Sequence, residues 1–273
     1  MIALWIILGV SLLLCGLYFF ALYPGRKRKG IFSAFEKKYV AHRGLFDNGE
    51  IPENSMKAFQ AAINEGFPIE LDVQLTADKR LVVFHDETLE RMCSSDKKIS
   101  ECTYSELCSY RLLKTDERIP LFSDVLKFVR GRVPLLLEIK HYSDPAGTAS
   151  SLSDHMKEYR GEYAIQSFHP KAVAWYRKNE PHVARGLLAT KYKKKNAKLK
   201  IPWHLFCSTL LLNFYTRPDF ISFNRKYADT YPFRIVNRFY KVKCAAWTVR
   251  SKKELAKAKK VFTTYIFDSF LPE

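Results

Sequence analysis

Residues 69–86 read IELDVQLTADKRLVVFHD, and this stretch decides the predicted fold. It contains two short apolar runs, 69–73 and 81–86, which are typical of β-strands. The turn between the runs, residues 76–80, is too short for a parallel crossover. The two strands are therefore predicted to form an antiparallel hairpin. With its turn near Asp78 and Lys79, the hairpin would place Asp72 across from His85.

Short apolar runs alternate with helical patterns along the rest of the chain. The other strand candidates are residues 39–43, 135–140, 163–168, 183–189, 220–224, 244–249 and 265–268. The helical candidates are residues 54–65, 103–113, 122–129, 171–178 and 252–260, the first with a polar cap at Asn54 and Gly66 as its stop.

Eight parallel strands with helices between them predict an α/β fold, a closed (β/α)8 TIM barrel. The strand at 81–86 is expected to lie above the barrel mouth and not to be one of the eight. An open doubly wound sheet is the alternative, but the chain has no glycine-rich phosphate loop to support it.

The N-terminal residues 2–23 carry no charged side chain. As a helix they would span about 33 Å at 1.5 Å per residue, enough to cross a bilayer core. A cleaved signal peptide is the alternative, but no basic residue precedes the apolar run and the run is long. We predict one N-terminal transmembrane helix as a retained anchor over residues 1–24, a basic juxtamembrane linker over 25–37 and one barrel domain over 38–273.

The charge of the chain favours anionic partners. Among 273 residues, 45 Lys and Arg against 28 Asp and Glu give a net charge of +17. Such a balance suits a phosphate substrate or a membrane lipid surface, and no nucleic acid partner is expected. Four basic residues at 26–29 follow the apolar run, so the positive-inside rule places the barrel in the cytoplasm.

Two further features agree with a membrane-associated protein in a reducing compartment. The six cysteines show neither zinc-site spacing nor a disulfide framework, which indicates reduced thiols. Residues 191–215 hold a lysine run followed by aromatic and leucine residues. This segment is either an amphipathic loop that lies on a bilayer or a solvated lysine run beside a buried helix.

Carboxylates on two predicted strands are the first candidate site residues. Glu70 and Asp72 are two positions apart and share one face of their strand, and Glu138 and Lys140 repeat that spacing. Inward carboxylates among Leu, Ile and Val are unfavourable unless they are compensated. One divalent cation, Mg²⁺ or Ca²⁺, would compensate them. A buried ion-pair network, such as Glu70 with Arg43 and Glu138 with Lys140, is the alternative.

Two histidines favour a catalytic site over a purely structural network. His42 and His85 each lie near the end of an apolar run close to these carboxylates; of the other histidines, His169 also follows a strand. One imidazole would accept a proton from an attacking hydroxyl, and the other would protonate the leaving alkoxide. The cation, Arg43 and Lys140 would neutralise charge on the phosphate oxygens. The set predicts metal-assisted chemistry on a phosphate ester.

At these residues the chain resembles the glycerophosphodiester phosphodiesterase family, from about Lys38 to the C-terminus. The matching pieces are His42-Arg43-Gly44, Pro52-Glu53-Asn54-Ser55, Glu70-Leu71-Asp72, His85-Asp86, Leu137-Glu138-Ile139-Lys140, Ser167-Phe168 and Trp247-Thr248-Val249. The resemblance implies a (β/α)8 barrel that hydrolyses glycerophosphodiesters to glycerol 3-phosphate and an alcohol.

The resemblance also implies a role for each candidate residue. The acid/base pair would be His42 and His85. The metal ligands would be Glu70, Asp72 and Glu138. Phosphate would be contacted by Arg43 and Lys140, and the substrate would pack against Trp247.

Two positions depart from the family pattern. Arg250 follows the Trp-Thr-Val run, where the family often has Asn. Phe267 and Ser269 flank Asp268, where the family usually has Thr and Pro. We expect neither departure to touch the metal ligands or the histidines.

The sequence therefore favours a membrane-anchored phosphodiesterase. Its substrates would be glycerophosphodiesters such as glycerophosphocholine, or lysophospholipids, which would yield lysophosphatidic acid. A phospholipase D-like enzyme on choline lysolipids and a cyclising lyase are alternative enzymes, and the lyase would leave a cyclic phosphate. A noncatalytic membrane protein that binds anionic lipid or nucleic acid through its basic surface is the alternative from another class.

Overall fold

Eight parallel strands close into a barrel in a computed structural model that describes residues 1–25, 28, 30–142, 144–191 and 208–272. The described strands are β1 (Tyr39–Ala41), β2 (Ile69–Leu75), β3 (Leu81–Val83), β4 (Leu135–Ile139), β5 (Tyr163–Ser167), β6 (Ala184–Ala189), β7 (Phe220–Asn224), β8 (Lys243–Val249) and β9 (Thr264–Phe267). The barrel runs from β1 through β2 and β4–β9, and β1 pairs with both β2 and β9. This closure confirms the predicted TIM barrel.

The described α-helices are α1 (Ile2–Leu22), α2 (Met56–Asn64), α3 (Glu90–Cys93), α4 (Tyr104–Leu107), α5 (Phe122–Val129), α6 (Pro145–Met156), α7 (Pro170–Asn179), α8 (Asn213–Thr216), α9 (Tyr231–Arg234) and α10 (Lys252–Ala258). A π-helical turn, Ile235–Phe239, continues α9. Helix α1 is mostly exposed, and its length and mean hydropathy of 2.4 are sufficient to cross a membrane.

Strand β3 forms the predicted antiparallel hairpin with the outer part of β2, where Val73 faces Val83. The predicted register is wrong by one residue, because Phe84 and not His85 lies opposite Asp72. The Phe84 N–H donates to the Asp72 carbonyl at 3.0 Å. The observed turn spans residues 76–80 and is centred on Asp78. The prediction had centred it between positions 78 and 79, and this difference shifts the pairing by one residue.

The start of α2 differs from the prediction. Ser55 is the N-cap, and its Oγ accepts the N–H of Ala58 at 3.1 Å. Asn54 has a positive φ of 56°, and its side chain turns away from the helix toward Asp72. The residue type that suits a helix cap is used here for a contact with another strand.

Two other helices were predicted wrongly. The pattern at 103–113 forms only α4, because the Leu112 N–H donates to the Glu117 carbonyl instead of continuing the helix. Helix α6 was missed because its Ala, Gly and Ser residues weaken the apolar period. Its start does carry a local signal, since Asp144 caps the helix and Pro145 occupies its first turn.

The inside of the barrel near the amino ends of the strands is filled by aromatic and aliphatic side chains. Phe32 and Phe35 are buried there, although both come from the segment assigned to the linker. The Phe32 ring stacks on Phe220 with centroids 4.0 Å apart. These residues fill the amino end of the barrel, so a substrate could enter only at the carboxyl end.

Replacing Gly44 tests the tight connection between β1 and α2. Gly44 has φ +82°, and a Cβ there would lie 2.8 Å from the Ala58 backbone. We expect Gly44→Ala to lower the free energy of unfolding by about 2–4 kcal/mol, through left-handed strain plus overpacking. The matched control is Gly66→Ala, which has φ +69° and no atom within 4 Å; we expect a loss of about 1 kcal/mol there. Denaturant unfolding that gives equal losses for both variants would contradict the tight contact.

Candidate active site

The predicted site residues converge at the carboxyl end of the barrel. His42 follows β1 directly, and Glu138 is the next-to-last residue of β4. Glu70 and Asp72 lie in β2, and His85 comes from the segment after β3. The carboxyl ends of parallel strands meet at one mouth, which brings residues distant in sequence to face one another.

Three carboxylates form a buried cluster at this mouth. Ligand oxygens of Glu70, Asp72 and Glu138 all lie within 4.8 Å of one another. These residues are only 2%, 1% and 7% exposed. A set made only of carboxylate oxygens suits a hard cation such as Mg²⁺ or Ca²⁺.

Lys140 compensates two of these carboxylates. Its Nζ lies 2.7 Å from Glu138 Oε1 and 3.2 Å from Asp72 Oδ1. Lys140 is 4% exposed and is not among the residues that line the cleft. Burial would raise the pKa of Asp72, but Lys140, His85 and Arg43 hold it well below its usual range. Asp72 is therefore ionised at neutral pH.

Glu70 is the carboxylate of the three that forms no ion pair in the described ranges. Within the described part of the chain no Lys or Arg side chain forms an ion pair with it; its Oε2 accepts the backbone N–H of Arg43 at 3.1 Å. Burial and the negative charges of Asp72 and Glu138 raise the pKa of Glu70 well above its usual value. The ion-pair alternative thus accounts for Glu138 with Lys140 but not for Glu70 with Arg43. Gln166 Nε2 donates to the other oxygen, Oε1, at 3.4 Å, so both oxygens have neutral donors. A bound cation would therefore add most stabilisation at Glu70.

Each histidine is held by a carboxylate through Nδ1. His42 Nδ1 lies 2.9 Å from Asp268 Oδ2, and His85 Nδ1 lies 2.6 Å from Asp86 Oδ1. Hydrogen bonding and charge from His42 lower the pKa of Asp268 to about 2 despite its burial, so it accepts the Nδ1 hydrogen. The Nε2 atom of each ring is left for chemistry in the cleft.

The surroundings of His42 favour its neutral form. Burial and the positive charge of Arg43 lower its pKa below the ordinary value, and the opposing effect of Asp268 does not restore it. A neutral ring whose Nδ1 carries the hydrogen presents a lone pair on Nε2. This is the form that accepts a proton.

A cluster of arginines and acidic residues orients these groups. The Arg43 guanidinium donates to Glu53 at 2.6 Å and lies 3.5 Å from Asp72. Arg91 contacts Glu53 at 2.6 Å and Asp86 at 2.7 Å, so it links the Arg43 side to the His85 side. The network holds both halves of the site in one arrangement.

Sequence reasoning gave no role to several residues that the structure brings to the site. Glu53, Asn54 and Asp86 were visible as parts of the motifs, and Asn54 donates to Asp72 at 2.9 Å. Asp268 belonged to the closing-strand pattern but was given no role, because its partner His42 lies 226 residues away. No motif included Arg91.

The cluster opens into a cleft of about 210 Å³. Trp247 forms one wall and meets Phe168 edge-on, with centroids 5.5 Å apart. The Nε1 atom of Trp247 is buried without a hydrogen-bond partner among the described residues, which leaves a donor for a bound molecule. Lys226 and Arg250 also line the cleft.

Among the described contacts Arg250 touches no histidine and no candidate metal ligand, as expected, but it reaches His42 through Asp268. Its Nε donates to Asp268 Oδ1 at 2.9 Å, and its Nη2 lies 3.3 Å from Asp268 Oδ2. Asp268 in turn holds His42. The contact was not visible in sequence because 18 residues separate Arg250 from Asp268 and barrel closure brings the ends of β8 and β9 together.

Comparisons with known proteins find matches to phosphodiesterases. The model of the glycerophosphoryl diester phosphodiesterase family matches residues 42–267. A glycerophosphodiester phosphodiesterase of Bacillus altitudinis is 35% identical over 164 residues, which cover 55% of this chain and 66% of that protein. A lysophospholipase D of Rattus norvegicus is 31% identical over 154 residues, 52% of this chain and 48% of that protein. The alignments thus span at most about two thirds of these relatives.

A solved structure shows the same fold. An Oleispira antarctica phosphodiesterase, in complex with the product sn-glycerol-3-phosphate, superposes with a TM-score of 0.71. It is 20% identical, and the match covers 88% of this chain and 95% of that one.

Removing the Asp268 carboxylate tests how His42 is held. The hydrogen bond and the charge of Asp268 both raise the pKa of His42, so we expect Asp268→Asn to lower that pKa further. Nuclear magnetic resonance titration of the histidine ring protons in chelator would measure the change. The control is Ser269→Ala, which removes only the Ser269 hydroxyl that donates to Asp268 at 2.8 Å. An unchanged or raised pKa in Asp268→Asn would show that the contact does not set the state of His42.

Proposed function

Because this chain belongs to the glycerophosphoryl diester phosphodiesterase family, we propose that it hydrolyses glycerophosphodiesters to glycerol 3-phosphate and an alcohol with a divalent cation. One observation carries the proposal: two carboxylate-held imidazoles line the same cleft as a buried carboxylate cluster. A binding protein for anionic lipid would have no need of this arrangement.

Glu70, Asp72 and Glu138 are the proposed ligands of the cation. Their donor set is all oxygen, and Glu70 is buried without a cationic partner among the described residues, so the cluster fits Mg²⁺ or Ca²⁺. Such an ion would neutralise negative charge on the non-bridging oxygens of the phosphodiester. Arg43, at the same wall, is the proposed side chain that adds positive charge there.

His42 and His85 are the proposed proton carriers. One Nε2 accepts the proton of the attacking water as its oxygen bonds to phosphorus. The other ring protonates the alcohol oxygen as the P–O bond to the leaving group breaks. The products are a phosphate monoester and a neutral alcohol, so atoms and charge balance. Asp268 and Asp86 keep the Nδ1 hydrogens in place during both transfers.

The remaining assignments concern the substrate and the membrane. Trp247 is proposed to present an aromatic face to the substrate, together with an N–H that has no partner in the described part of the chain. Residues 1–24 are proposed as a single-pass membrane anchor, since α1 has the length and hydropathy to span a bilayer. The basic residues at 26–29 support a cytoplasmic barrel. Residues 192–207, most of the predicted basic and apolar loop, lie outside the described residues.

Metal removal and Glu70→Gln test the cation site. The purified full chain in detergent is incubated with glycerophosphocholine, and released glycerol 3-phosphate is measured. We expect chelator to abolish activity and Mg²⁺ or Ca²⁺ to restore it. Glu70→Gln keeps the side-chain shape but removes one anionic ligand, so kcat/KM should fall by about 10²-fold or more. Glu65→Gln, at the exposed end of α2, is the matched control and should leave activity unchanged. Turnover in Glu70→Gln equal to that control would reject the site.

Replacing each histidine tests the acid/base pair. We expect His42→Ala and His85→Ala each to lower kcat by about 10²- to 10⁴-fold, because each removes one proton transfer. His155→Ala, on the outer helix α6, is the control and should retain activity. Full activity in either site variant would contradict the assignment. Chromatography of the products separates hydrolysis from the lyase alternative, which would release a cyclic phosphate.

A further inference from the structure

The last turn of α1 is attached directly to the barrel. Asn213 Nδ2 donates to the carbonyl of Leu22 at 2.9 Å, and the Tyr240 hydroxyl donates to the carbonyl of Phe19 at 2.8 Å. Leu22 itself is fully buried. These contacts fix where the chain leaves the apolar helix, so the end of α1 is held at one place on the barrel.

That place is the amino end of the barrel. Asn213 and Arg217 come shortly before β7, and Tyr240 comes shortly before β8. Arg217 also donates to the carbonyl of Tyr23. The carboxylates and histidines lie at the opposite, carboxyl end. A strand of five residues separates the two ends by about 17 Å.

An aromatic collar surrounds the end of α1. Three of its residues lie at the end of α1 or directly after it: Phe19, Phe20 and Tyr23. Phe214 and Tyr215 precede β7, and Phe239 and Tyr240 precede β8. Rings of Phe19 and Phe239 meet at 5.6 Å, and Arg217 lies over Phe20 at 4.7 Å. The outer members are exposed and continuous with the apolar helix. Aromatic residues with nearby cations at the end of an apolar helix are typical of a membrane interface.

Positive charge surrounds the same end. Six exposed lysines lie at or just before the starts of three adjacent barrel strands, β8, β9 and β1. They are Lys37, Lys38, Lys241, Lys243, Lys259 and Lys260. Glu36 is the acidic residue beside them, and it is paired with Lys243. A cavity of about 350 Å³ opens beside them, with Ile31 and Phe32 in its lining. Apolar surface bordered by lysine suits the headgroup region of an anionic bilayer.

We propose that the aromatic collar and these lysines rest on the bilayer that α1 crosses, so the catalytic cleft opens away from that bilayer. The enzyme then takes its substrates from water: deacylated glycerophosphodiesters, and not lysolipids embedded in its own membrane. This inference rests on the proposed function and narrows its substrate class. We assign the amino end to a lipid surface because the apolar helix α1 and the lysine-bearing loops both lie at that end.

Two exposed aromatics in the β7–β8 connection provide a matched test. Phe239 belongs to the collar and is 67% exposed, whereas Tyr231 is 80% exposed and starts α9, nearer the carboxyl end. About nine residues of helix, or roughly 13 Å, separate them. The photoreactive aromatic residue benzoylphenylalanine is placed at Phe239 in one variant and at Tyr231 in another. Each full-length variant is inserted into vesicles of phosphatidylcholine and phosphatidylglycerol, illuminated and searched for lipid adducts by mass spectrometry.

We expect lipid adducts at position 239 to exceed those at 231 by about tenfold or more, because position 239 would lie at the membrane interface and position 231 in water. Adducts that are equal, reversed or absent from both positions would overturn the proposed orientation. Both variants should hydrolyse glycerophosphocholine as the unchanged protein does, because neither residue lies in the cleft.

An activity comparison separates this inference from the proposed function. The vesicle-bound enzyme should hydrolyse glycerophosphocholine as fast as the detergent-solubilised enzyme does. Lysophosphatidylcholine in the same vesicles should be cleaved at least about tenfold more slowly than in detergent micelles, where it can reach the cleft. Fast cleavage of the vesicle lysolipid would reject the orientation and keep the phosphodiesterase. Failure to hydrolyse any diester would reject the phosphodiesterase itself, whatever the adducts show.

Discussion

The crowding of three carboxylates in a buried barrel mouth is the interaction on which the site depends. Their oxygens lie within 4.8 Å of one another, so repulsion and lost hydration both act against the ionised state. Lys140 offsets this for Asp72 and Glu138. Glu70 has no such partner among the described residues, and its raised pKa reports the imbalance. A divalent cation is the simplest addition that would let all three carboxylates ionise together.

The histidines depend on a second set of charges outside this cluster. Asp268 and Asp86 hold one ring each, and both receive further contacts from arginines, Arg250 and Arg91. The ring orientations are therefore set by residues that do not reach the carboxylate cluster themselves. Arg250 shows how a position that departs from the family pattern can still act near the chemistry, since it contacts the carboxylate that holds His42.

The barrel separates chemistry from attachment. The proposed catalytic groups lie at the carboxyl ends of the strands, where loops of different strands meet, as is usual in barrels of this class. The amino end is closed by Phe32 and Phe35 and carries the end of α1. Because the two proposed functions use opposite ends, the residues proposed to contact lipid could vary without disturbing those proposed to contact substrate.

Much of the secondary structure of this protein could be predicted from the sequence alone. Strand positions, the hairpin and the apolar span follow from local periodicity and length, which are short-range properties. The pairing of carboxylates on β2 and β4 also follows, because alternate residues of a strand share a face. Tertiary structure alone decided the partners: Asp268 meets His42 across 226 residues, and Asn54 leaves its predicted helix cap for Asp72. It also decided that α1 ends at the amino side. Such contacts depend on how the barrel closes, and closure is a property of the whole chain that no local pattern encodes.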